Sequence, residues 1–155
     1  MEKEELNKIK EMLFTTMKET FKKNGEVLPM AVIIKQDREL SYYPMRFTNQ
    51  LEKQIMTQQI KMMCQQLNPL AVAIMQEAWM AKVDKKDADA LRKEMAEKGI
   101  GVKDLENKKE IAMLLFETSA GNEMISCDIE RKDNTLVNEV RTNEVKGIFS
   151  NLLSR

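Results

Sequence analysis

Glu77 and Trp79 are the residues whose type and spacing come nearest to chemistry. They stand two positions apart, just beyond the apolar run from Leu70 to Met75. Residues two apart on a strand share a face, so the carboxylate and the indole would lie side by side near a strand end. Shielding from water beside an indole raises a carboxyl pKa, the property a general acid needs. An acid–base site also needs a second group. The chain has no histidine, so that group would have to be another carboxylate, and Asp128 is the candidate. The plainer alternative is that Trp79 closes the core while Glu77 meets solvent or a lysine.

The absence of histidine excludes Ser-His-Asp and Cys-His nucleophile systems and any His-ligated zinc or iron. Cys64 and Cys127 lie 63 positions apart with no C-x-x-C spacing, and read as buried, reduced thiols. Acidic residues at Asp84, Asp87 and Asp89 lack the pattern of a calcium loop and read as a helix-capping segment. The glycines form no phosphate-binding loop. No metal, cofactor or nucleotide is therefore called for. Tyr42, Tyr43, Lys35 and Arg46 could form a small aromatic–basic patch of the kind that stacks single-stranded nucleic acid, but the charge balance argues against a nucleic-acid partner.

That balance is 25 basic against 25 acidic side chains in 155 residues, and it holds locally, with six and six in residues 1–26 and eight and eight in 84–110. Interleaved charges solvate a surface; they do not build a patch for DNA or an anionic membrane. The N-terminal MEKEELNKIK is too charged for a signal peptide, and six consecutive apolar residues fall far short of the roughly 20 that span a bilayer. The sequence reads as that of a cytoplasmic protein.

These residues must be held by elements. Leu6, Ile9, Leu13, Met17 and Phe21 recur at helical spacing, predicting a helix over 2–23 that ends at Asn24-Gly25. Val27 to Lys35 and Glu39 to Tyr43 form a hairpin. Pro29 marks the start of its first strand as unpaired or at an edge. Thr48 or Asn49 can cap a second helix that runs to about Leu67 and stops at Asn68-Pro69. The run from Leu70 to Met75 is apolar on both faces, the mark of a central strand, and the strand continues through Met80. Residues 84–109 form a charged surface insertion with one helix containing Leu91 and Met95 and closed by Gly99. Three strands follow, over 111–117, 124–131 and 135–140, and the spacing of Val145, Ile148, Phe149, Leu152 and Leu153 predicts a marginal final helix. The expected fold is a single α+β domain over 1–155, in the order α-β-β-α-β-(helical insert)-β-β-β-α. Five or six strands form a mostly antiparallel sheet with two long helices on one face.

This order, with the strand end Glu77-Ala78-Trp79 before a charged insertion, resembles a group of small uncharacterised prokaryotic and phage α+β proteins. The resemblance rests on the short motif "EAW" and on the element order. It implies no activity and carries over no catalytic residue.

Without a catalytic motif, the expected function is a non-enzymatic protein-interaction module, a phage or mobile-element factor that binds a host protein or itself as a homodimer. The alternative is a small carboxylate-dependent enzyme or a metal- or ligand-binding protein using Glu77 and Asp128. The second helix looks apolar over a wider arc than one sheet contact needs, through Met56, Ile60, Met62 and Met63. Methionine, 13 in number, suits adaptable contacts. The expected contact residues are Met56, Ile60, Met63, Glu77, Trp79, Leu91 and Met95.

Overall fold

The computed structural model describes residues 2–81, 85–99 and 108–144. Within them the chain forms α1 (Glu2–Asn24), β1 (Met30–Ile34), β2 (Leu40–Pro44), α2 (Gln50–Leu67), β3 (Ala71–Ala81), α3 (Lys85–Lys98), β4 (Lys108–Thr118), β5 (Gly121–Glu130) and β6 (Thr135–Asn143). The element order and the α+β class are those expected from the sequence. The tail helix expected over 145–153 lies outside the described residues.

The helix ends follow their local chemistry. Glu2, Glu4 and Glu5 occupy the first turn of α1 and Lys22 and Lys23 its last, opposing the helix dipole. Gly25 then takes φ +75° and donates its N–H to the carbonyl of Phe21. On α2, the Asn49 side chain accepts the N–H of Glu52 at 2.8 Å. The Glu52 carboxylate answers one residue early, accepting the N–H of Thr48 at 2.9 Å instead of that of the cap itself. Asn68 closes the helix in the left-handed conformation.

The six strands form one sheet in the order β2-β1-β3-β4-β5-β6, antiparallel at every pairing. The strand expected to be central, β3, lies between β1 and β4. Helix α2 carries the chain from the edge strand β2, past β1, to β3.

The two long helices do not share a face. Leu6, Leu13, Phe14, Met17 and Phe21 of α1 pack with Val32, Ile34, Ala73, Met75, Leu114 and Ile125. Ile60 and Cys64 of α2 pack with Ala31, Ile33, Val72, Ile74 and Leu115. Alternate residues of β1 and β3 thus belong to two cores on opposite sides of the sheet. The physical reason is that both strands are apolar at every position from Ala31 to Ile34 and from Ala71 to Met75, so both faces need cover. The expectation of both helices on one face is corrected accordingly.

Strand β5 bulges against β6. Ser126 pairs with Val140 and Asp128 with Val137, so Asn138 and Glu139 stand opposite Cys127 alone. Asn138 absorbs the extra residue at φ 55°.

Candidate functional site

Register decides the fate of the two carboxylates. Glu77 lies opposite Ala112, which lies opposite Cys127. Asp128 lies opposite Ile111, which lies opposite Ala78. Directly paired residues share a face, so Glu77 is on the α1 side and Asp128 on the α2 side. The sheet separates them, and the two-carboxylate site is overturned.

Each carboxylate has structural partners. Glu77 accepts the backbone N–H of Val27 at 3.3 Å and lies 3.6 Å from the Arg131 guanidinium. Burial pushes its carboxyl above the ordinary range, against the pull of the Val27 N–H and Arg131. Arg131 also bonds Glu110 and the carbonyl of Gly25, each at 2.6 Å, and lies over the Phe21 ring. This cluster ties the end of α1 to β3, β4 and the turn after β5. On the other face, Asp128 pairs with Lys109 at 2.8 Å and accepts from Asn138 at 2.9 Å, bracing the bulge.

The thiols are buried, as expected of reduced cysteines. Burial, with Glu117 nearby, pushes the Cys64 thiol up to about 11, so it stays protonated and unreactive near neutrality. Among the described residues no group of three or more Cys, Asp or Glu side chains could hold a metal ion. Part of the acidic run 84–89 falls outside them; Asp89 is exposed and pairs with Arg92. The tyrosines of the hairpin divide between the faces. Tyr42 is exposed, whereas Tyr43 packs against the α2 core, so the two do not form one stacking surface.

The helical residues expected to make contacts also divide. Ile60 is only 2% exposed and belongs to the core, and Met56 and Met63 pack beside it. Leu91 and Met95 of α3 are half-buried. Trp79 is 43% exposed at the far end of β3, opposite Glu110. The apolar residues on the side of α2 away from the sheet are Leu51 at 65%, Ile55 at 50% and Met62 at 50% exposure. At about 100° per residue, nine positions make half a turn. Leu51 stands nine before Ile60, Ile55 nine before Cys64, and Met62 nine after the half-buried Lys53. The outward stripe is therefore diametrically opposed to the sheet-facing one. Beside it lie Gln54, Gln58, Gln59, Gln65 and Gln66, all exposed, with Glu52 and Lys61 at its margins. Of the four residues that mark the wide apolar arc in the sequence, Met62 faces outward, Ile60 lies in the core, and Met56 and Met63 pack beside it. The nine-residue spacing was the signal that separates the halves.

Fold and site together define an α+β protein with an open antiparallel sheet between two helices, one of which shows an uncharged apolar stripe to the outside. The family model described as bacteriophage lambda protein ea47 matches residues 1–149, and the chain belongs to that family of phage proteins. No curated protein and no solved structure matches the chain.

Proposed function

We propose that the chain is a non-enzymatic phage factor that works by protein contact, through the outer face of α2. The observation that carries this reading is the stripe of Leu51, Ile55 and Met62, exposed on a molecule in which 32% of residues are charged. Such a stripe has a cost in water that contact with another surface relieves. Trp79, half-exposed at the far end of β3 on the α1 side of the sheet, is a second contact point of the type that anchors interfaces. The Glu77–Asp128 pair of the enzymatic alternative is not formed, because the two carboxylates lie on opposite faces.

The test is site-specific photocrosslinking during phage infection. A photoreactive phenylalanine at position 51, 55 or 62 is expected to form discrete adducts, whereas one at the exposed Lys3 is not. Equal adduct patterns from all four positions would sink the reading.

A further inference from the structure

Resting on that reading of α2, we infer that the occupant of its outer face is a second copy of this chain, paired antiparallel through α2 about a two-fold axis between Met56 and Thr57. Leu51, Ile55, Gln58 and Met62 are spaced four, three and four apart, the alternation by which one helix keeps a seam against another. In the antiparallel register, Leu51 meets Met62 of the second copy and Ile55 meets Gln58 of the second copy. The two Gln58 amides approach each other at the axis, where each can donate and accept.

The margins agree with self-pairing. Glu52 comes beside Gln59 of the second copy, and Lys61 beside Gln54 of the second copy. No like charges oppose each other in this register, and each ion meets an amide that can bond it. A face of apolar and amide groups offers nothing to steer a strongly charged partner, whereas it complements itself.

The area is sufficient for a weak dimer. At their exposures, Leu51, Ile55 and Met62 supply on the order of 300 Å² per copy, and the glutamines about as much again. Two copies would bury roughly 1,200 Å², the lower end of the range for specific interfaces. The pair should therefore form at high protein concentration and dissociate on dilution.

Light scattering on the full chain, from low to several hundred micromolar, should show the mass rising from one copy to two. Ile55→Glu should remain a single copy throughout with an unchanged far-ultraviolet circular dichroism spectrum, and Ile55→Leu should still pair. The double variant Leu51→Cys with Met62→Cys should give a disulfide-linked dimer on oxidation, while Leu51→Cys alone should not. A parallel pair would link through Leu51→Cys alone, so that result overturns the arrangement. A single-copy mass at every concentration, or an Ile55→Glu variant that still doubles, overturns self-pairing. If the mass stays single while position 55 still crosslinks to a host protein, self-pairing fails and the contact reading of α2 stands.

Discussion

Arg131 and Arg141 reach from the last part of the sheet to α1, and the carboxylates they meet respond to pH in opposite directions. Glu11 receives both terminal nitrogens of Arg141, at 2.6 Å each, and this hydrogen bonding holds its carboxyl below the ordinary range. A lowered folded pKa stabilises above the unfolded value of about 4.3 and loses that effect as pH falls through the folded one. Glu11→Gln should therefore cost about 0.5 kcal/mol at pH 7, a figure reduced for solvent screening, and the gap to the parent should close in acid. Urea unfolding at several pH values checks this. Glu77 is the reverse case, its carboxyl being raised by burial. Its contribution is full below the unfolded pKa and is lost as pH rises through the folded one. Glu77→Gln keeps an oxygen for the Val27 N–H and removes the buried charge. It should match or exceed the parent at pH 7, by less than about 1 kcal/mol, with the difference vanishing toward pH 4. Glu77→Leu leaves that N–H without this acceptor and should cost about 1–3 kcal/mol. A parent more stable than Glu77→Gln at pH 7 would show that the Arg131 pair outweighs desolvation.

At the scale of elements, α2 depends on its two stripes differently. Ile60 fills the core, so Ile60→Ala should cost about 2–5 kcal/mol through lost burial and the cavity left behind. Asn49→Ala removes the cap on the Glu52 N–H and should cost about 1 kcal/mol. Ile55→Ala, on the outer stripe, should change the urea midpoint of the single copy little. Equal losses at Ile55 and Ile60 would mean that the two sides of α2 are not distinct. The elements themselves were legible in the sequence, because Asn49, Asn68-Pro69, Asn24-Gly25 and the strand alternation are local signals. The pairing of faces was not, because it depends on contacts distant in sequence. An amphipathic helix shows that it covers something, without showing which side of the sheet. The faces of Glu77 and Asp128 depend on the register of β3 on β4 and of β4 on β5, and shifting either pairing by one residue would put them on the same face of the sheet. The signal that could have split the helices lay in β1 and β3, each apolar on both faces.

For the whole molecule, the decisive geometry is at the join between β3 and β4. Ala81 and Lys108 are paired Cα partners, so the strands are already side by side where the connection bearing α3 leaves and returns. The hydrophobic clusters on the two faces of the sheet are built from α1, α2, the strands and the short connections beside them. A two-residue Asn-Gly turn spans such a pair with the twist of antiparallel strands. Replacing 82–107 by Asn-Gly should therefore preserve the sheet. Closing a loop of about 25 residues costs more entropy than closing one of two, by on the order of 2 kcal/mol, so the shortened chain should unfold at an equal or higher urea concentration. Because α2 lies in a different connection, the shortened chain should also keep the concentration-dependent mass of the full chain. Chemical unfolding and light scattering on the same sample separate the outcomes. A lower midpoint would make the connection part of the folding unit. A preserved midpoint with lost pairing would move the interface from α2 to the α3 connection.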